Sequence, residues 1–198
     1  MTNKQKKYLF IKRIFDFFFS MFLIVLTLPL FMLLGFLVKI TSKGPVFFIQ
    51  WRVGKNKKPF RIVKFRTMKK GSPETPSNEL SKQDLQKMST KFGRFLRKSS
   101  LDEIPQIFNI FIGQMSFIGP RPGALKNEEY LILERDKYVP SPFEVLPGLS
   151  GYAQTFSRFL DSPSKAKLDY FYVSNISFFF DIKIFFLTLK KLFKFDGS

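Results

Sequence analysis

Residues 17–38, FFFSMFLIVLTLPLFMLLGFLV, run for 22 positions without a charge, and their reading decides the fold. A helix of that length spans a hydrocarbon core of about 30 Å. The run exceeds the ~7–15 apolar residues of a secretory signal core, and no A-x-A site follows it. A helix buried in a water-soluble core is the plainer alternative. The flanks complicate a simple span. Lys4, Lys6, Lys7, Lys12 and Arg13 precede the run, and Lys39, Lys43, Arg52, Lys55, Lys57 and Lys58 follow it. The positive-inside rule would keep both flanks in the cytoplasm. Pro29, near the middle, lacks an N–H and clashes with the preceding turn. A helix that enters, bends at Pro29 and returns satisfies both flanks, provided the freed backbone groups find partners such as the Thr27 hydroxyl. A kinked span stays open beside it.

The whole chain, 198 residues, is long enough for one domain with a real core. Thirty-three Lys and Arg against 15 Asp and Glu give +18, which calls for a polyanionic partner: nucleic acid, an anionic membrane surface or a phosphate-rich substrate. With no Cys and no His, disulfides, thiol nucleophiles, a Ser-His-Asp triad and the usual zinc sites are excluded. Acid, base or nucleophile must be a carboxylate, Lys, Tyr, Ser or Thr, and a metal would be an oxygen-loving one such as Mg²⁺. Near the C-terminus, Lys183, Lys190 and Lys194 recur on one helical face, with Phe178, Ile182, Phe185 and Leu189 on the remainder. That pattern fits a basic amphipathic helix in the headgroup region, or a core helix with a lysine edge.

Between these elements the chain reads as a compact cytosolic domain. PVFFIQWRVG (45–54) and PFRIVKFRTM (59–68) predict a β-hairpin across a polar turn. Residues 69–84 read as a polar loop, and 89–113 as helical from the spacing of Phe92, Phe95, Leu96, Ile104, Ile107, Phe108 and Phe111. MSFIGPRPGAL (115–125) and VLPGLSGYAQ (145–154) read as turns, and the stretch from Ser162 as a helix opened by Ser-Pro and running through Tyr172. Within SSLDEIPQ (99–106), Asp102 and Glu103 are adjacent carboxylates. Ser100-x-x-Glu103 matches a capping box, although Pro105 fits better if Asp102 is the cap. In either case the helix dipole would hold the carboxylate ionised, with a depressed pKa. Arg94, Arg97 and Lys98 precede the pair, and Arg121 stands between two prolines, an arrangement suited to phosphate recognition. An ionised carboxylate among arginines could bind Mg²⁺ or attack phosphorus.

These motifs, QWRVG, FRIVKFRTM, FGRFLRKSSLDEIPQIFNI, GQMSFIGPRP, LPGLSGYAQ and LDYFYVSNIS, preceded by KRIFDF, resemble in order those of the bacterial sugar transferases, the monotopic phosphoglycosyl transferases. The resemblance covers nearly the whole chain and implies a minimal member. It implies an α+β, membrane-associated fold: a re-entrant membrane helix broken at Pro29 over residues 1–40, then a small, mostly helical catalytic domain over 41–198 with a β-hairpin and interfacial amphipathic helices. It implies that Asp102 is the nucleophile and Glu103 its partner, both beside Mg²⁺. Asp102 would attack the β-phosphate of a UDP-sugar and release UMP, and a polyprenyl phosphate would then take the phosphosugar. Arg97, Arg121, Arg158 and Lys64 would hold phosphates. The implied location is the cytoplasmic face of the bacterial inner membrane, in contact with its lipid. No nucleic-acid partner is expected, and a homo-oligomer or contact with downstream glycosyltransferases stays open. The chain departs from the family pattern at Leu28 before Pro29, at Gln114 where Asp is usual, and at Phe156-Ser157 before Arg158. A non-enzymatic protein binding anionic lipid by charge is the competing class.

Overall fold

In the computed structural model, which describes residues 1–72, 82–125, 128–156 and 160–193, the apolar run lies within one helix, α1, Asn3–Thr41. Thr2 and Gln5 start it as a reciprocal capping box. The expected break at Pro29 is not there. Proline's fixed φ is already helical, so Pro29 costs the helix one donor and some crowding without ending it. Thr27 does not supply the missing donor, because its hydroxyl donates to the Leu23 carbonyl at 2.7 Å, within its own turn.

One stripe of α1 faces the rest of the chain: Lys12, Asp16, Ser20, Leu34 and Val38 are buried, with Ile24, Thr27 and Phe31 partly so. Steps of three and four residues keep all of these on one side. The helix, about 58 Å long at 1.5 Å per residue, is therefore held along its length. Gln5 donates to the Ser174 carbonyl near its start, and Leu34 and Val38 join a core cluster with Phe65 and Leu96 near its end. The opposite face exposes Phe10, Phe18, Phe22, Val25, Met32 and Phe36. An apolar face of that extent needs a non-aqueous cover.

The hairpin forms as read. Strands β1, Phe47–Val53, and β2, Pro59–Phe65, pair antiparallel from Phe47 opposite Phe65 to Val53 opposite Pro59. Its turn places Asn56 and Lys57 at positive φ. The chain then passes helix α2, Lys82–Met88, and enters α3, Lys91–Lys98, which Thr90 caps by accepting from the Gly93 amide at 2.8 Å. Gly93 lies backbone to backbone on Thr67: an added Cβ would come within 2.0 Å of the Thr67 carbonyl oxygen. The helical pattern expected over 89–113 resolves into α3, a 3-10 turn at Leu101–Glu103 and α4, Gln106–Phe111.

The two segments read as turns meet as a short parallel pair, β3, Ser116–Ile118, with β4, Gly148–Ser150. Their backbones approach so closely that a Cβ on Gly148 would meet the Gly119 nitrogen at 2.1 Å. Helices α5, Glu129–Asp136, α6, Tyr152–Phe156, α7, Ser162–Ser174, and α8, Phe178–Phe193, complete the α+β arrangement. The cap of α7 is Asp161, whose carboxylate accepts from the Ser164 amide, with Pro163 in the first turn. Helix α8 buries Asp181 and Ile184 and exposes Phe178, Phe179, Phe185 and Phe186 beside Lys183 and Lys190; Lys194 lies outside the described residues.

A buried polar lock joins α1 to this far side. Lys12 donates to Asp181, to the Ile118 carbonyl at 2.6 Å and to the Tyr172 hydroxyl at 3.0 Å. Tyr8 and Tyr172 donate to the same Asp181 carboxylate at 2.6 and 2.8 Å. One carboxylate thereby receives a cation and two phenols, which makes its burial tolerable.

Candidate active site

The 3-10 turn that carries Asp102 and Glu103 is shaped by Pro105. An α-turn would ask Pro105 for a donor it lacks. The tighter turn lets Glu103 and Ile104 donate instead to the Ser100 and Leu101 carbonyls, at 3.2 and 3.3 Å. Ser100 adopts a left-handed conformation (φ 57°) and makes no side-chain cap. The capping box is therefore absent, and so is a cap by Asp102: α4 begins only at Gln106, after Pro105. Leu101 and Ile104, three apart, point together into the cluster formed with Leu34, Val38, Phe65 and Leu96. The two acids between them are left to meet the cations of neighbouring elements. Ile104, Ile107 and Phe108 also border a small void with Ile24, Thr27, Leu28 and Phe31, which seats the turn on the middle of α1. Arg13 fixes the other end of α4 by donating to the Ile110 and Phe111 carbonyls at 2.7 and 2.9 Å.

Glu103 is clasped by two cations. Its Oε1 accepts from Lys64 Nζ on β2 at 2.7 Å and from Arg121 Nη2 at 2.8 Å. Burial alone would raise the Glu103 pKa, but Arg121 and Lys64 outweigh it and hold the carboxyl far below its ordinary value. Asp102 is treated differently, making no hydrogen bond among the described residues. Burial pushes its pKa up, Glu103 adds to the rise, and Lys64, Arg97 and Arg121 oppose it without prevailing. The depressed Asp102 pKa expected from a helix dipole is thus corrected, since no α-helix starts at Asp102 and desolvation dominates. Burial also lowers the Lys64 pKa against the pull of Glu103, and Glu103 raises that of Arg121. Two adjacent carboxylates are placed in opposite environments, one neutralised and one poorly solvated, the condition under which neighbouring acids take different roles.

The structure therefore brings Asp102, Glu103, Lys64 and Arg121 together, with Arg97 on α3 within electrostatic reach of Asp102. Arg158 lies outside the described residues. Sequence reading missed the groups that hold Arg121. Arg135 donates to the Arg121 carbonyl at 2.8 Å while paired with Asp169 in nearly complete burial. Arg52 donates to the next carbonyl of this loop, that of Pro122, at 3.1 Å, and pairs with Glu128, which also accepts from the Ala124 amide. The Pro-Arg-Pro turn is thus clamped through its own backbone by two arginines. Gln114 takes up its unusual place by accepting from the Asn109 amide at 2.8 Å, and Asn109 also ties to the Arg61 carbonyl and Val63 amide of β2.

Among the described residues no group of three or more acidic side chains could cage a metal. Asp102 and Glu103 alone suit Mg²⁺, which keeps several waters and takes phosphate oxygens beside one or two carboxylates.

Comparison with known proteins agrees in extent with these motifs. A family model described as "Bacterial sugar transferase" matches residues 7–195. The chain is 37% identical over 187 residues to "UDP-glucose:undecaprenyl-phosphate glucose-1-phosphate transferase" of Klebsiella pneumoniae, covering 91% of this chain and 39% of that protein. It is 35% identical over 192 residues to "UDP-N-acetylgalactosamine-undecaprenyl-phosphate N-acetylgalactosaminephosphotransferase" of Aeromonas hydrophila, covering 93% and 44%. "Uncharacterized sugar transferase EpsL" of Bacillus subtilis (strain 168) is 39% identical over 188 residues, covering 94% and 89%. The chain thus spans less than half the length of the first two relatives and most of the third.

Proposed function

The chain belongs to the bacterial sugar transferase family, and from that premise we propose that it moves a sugar-1-phosphate from a UDP-sugar to a polyprenyl phosphate. The observation that carries this reading is the unequal carboxylate pair, with Glu103 held by Lys64 and Arg121 and Asp102 making no hydrogen bond among the described residues. In the first step an Asp102 carboxylate oxygen attacks the β-phosphorus. An oxygen–phosphorus bond forms, the bond from that phosphorus to the bridging oxygen breaks, and UMP leaves. In the second step a polyprenyl phosphate oxygen attacks the same phosphorus, forming the diphosphate and returning Asp102 to a carboxylate. Glu103 keeps Lys64 and Arg121 in place, and these cations, with Arg97, neutralise charge on the transferring group. Mg²⁺, held by Asp102 and Glu103, would supply Lewis-acid charge stabilisation to the diphosphate.

The acceptor's phosphate lies at a membrane surface, and the exposed apolar faces of α1 and α8 suit a chain that works there. Both ends of α1 pack on one body, which speaks against a span and for attachment from one side, with the body on the cytoplasmic face of the inner membrane. Relatives of comparable similarity carry glucose and N-acetylgalactosamine in their names. The experiment is therefore a panel of UDP-sugars, incubated with detergent-solubilised protein, Mg²⁺ and polyprenyl phosphate, with UMP followed. We expect release with at least one sugar and near-complete loss in Asp102→Asn. Undiminished turnover in that variant would remove Asp102 as nucleophile.

A further inference from the structure

Away from the carboxylate pair, at the end of α1, lies an open recess of about 520 Å³ that the proposed reaction does not use. Thr41, Ser42, Lys43, Lys69, Lys70, Thr90, Lys91 and Phe92 line it. Local pairing builds it: the Lys69 amide donates to the Met88 carbonyl and the Thr90 amide to the Thr67 carbonyl, at 2.8 and 3.0 Å, bringing the lysines of one segment beside those of α3. Among the described residues no acidic side chain lines it, and none of its four lysines makes an ion pair. Behind it Arg66 is buried, donating to the Ser42 carbonyl and hydroxyl at 2.8 and 3.0 Å, while its Nε and Nη1 have no partner among the described residues. Five cations that meet no counter-charge among the described residues repel one another, which favours an anion joining them.

Position identifies the anion. The recess opens where the apolar face of α1 ends, beside exposed Ile40 and Phe36, and Phe92 within it stacks on exposed Phe95. This is the level at which apolar side chains give way to hydroxyls and lysines, the depth of lipid headgroups. The whole of α3, about 12 Å of helix, separates Lys91 from the turn carrying Asp102, so a phosphate held here is not the reacting one.

We propose that this recess holds the phosphate of an anionic bilayer phospholipid, distinct from the substrates, with its acyl chains along Ile40 and Phe95. The proposal rests on the membrane association inferred above. Its test is native mass spectrometry of the full chain released from mixed phosphatidylcholine and phosphatidylglycerol, beside flotation on phosphatidylcholine vesicles alone. One phosphatidylglycerol should stay with the wild-type chain. Its retention should fall roughly tenfold or more in K69Q/K70Q/K91Q, three exposed lysines being lost, and should hold in K55Q/K58Q. Equal falls in both variants would reduce the recess to diffuse charge and overturn the proposal. Displacement of the lipid by UMP or inorganic phosphate, with the same variant dependence, would assign the site to a soluble phosphate and overturn it too. Failure of the wild type to float on phosphatidylcholine would instead sink the membrane reading, a separate result.

Discussion

Glu103 and Asp102 share a turn and divide its charge environment. Glu103→Gln keeps the shape of the clasp but removes the charge that lets Lys64 and Arg121 lie against one oxygen. The two cations should then separate, and a misplacement of about 1 Å near reacting atoms costs on the order of 10²-fold in rate. Steady-state kinetics should show that loss in kcat, with stability falling by only about 1–3 kcal/mol. An unchanged kcat would mean that Glu103 is structural. Asp169→Asn acts at a distance from the same site. It leaves Arg135 charged in a nearly closed position, at a cost of about 3–5 kcal/mol, and loosens the hold on the Arg121 carbonyl. A lower melting temperature with unaltered specific activity in the folded fraction would show that this clamp does not position Arg121. The pairs themselves were illegible in the sequence. Lys64, Glu103 and Arg121 are scattered over 58 positions, and no spacing rule connects them.

At the scale of elements, the lock between α1 and α8 gathers its strength on Asp181. Lys12→Met removes the cation but leaves the Tyr8 and Tyr172 hydroxyls, so the loss should be about 3 kcal/mol, the low end for a broken buried pair. Thermal unfolding in detergent measures it. Lys12→Met with Asp181→Leu should recover part of the loss, whereas simple addition of the two single effects would show no coupling. Elements were legible where local chemistry announced them. Aromatic and β-branched residues bounded by Pro and Gly marked the hairpin, and Ser-Pro marked the start of α7, although the cap itself is Asp161. The three-residue strands β3 and β4 were not, because their pairing depends on glycine backbones that leave no periodic trace. Pro29 misled for a different reason: a proline inside a long apolar helix removes one bond of many, and neighbouring turns carry the helix past it.

Across the whole molecule, the exposed apolar residues of α1 and α8 outweigh what +18 can do at a surface. Membrane attachment should therefore survive high salt, which screens charge within a few Å but leaves apolar burial intact. Flotation in molar salt checks this, and release into the soluble fraction would make the attachment electrostatic. An impermeant reagent should modify both ends of α1 from the same side of the membrane, since both ends pack on one body. Opposite-side labelling would convert α1 into a span. The seat of α4 has a further energetic meaning. Because the short helix after Asp102 rests on the middle of α1 and is gripped at its far end by Arg13, an α1 seated in a membrane would hold the Asp102 carboxylate low over the bilayer. A carrier phosphate reaching it by lateral diffusion would leave its isoprenoid tail in the leaflet. The reaction would then be spared the work of lipid extraction, about 0.8 kcal/mol for every CH₂ drawn into water.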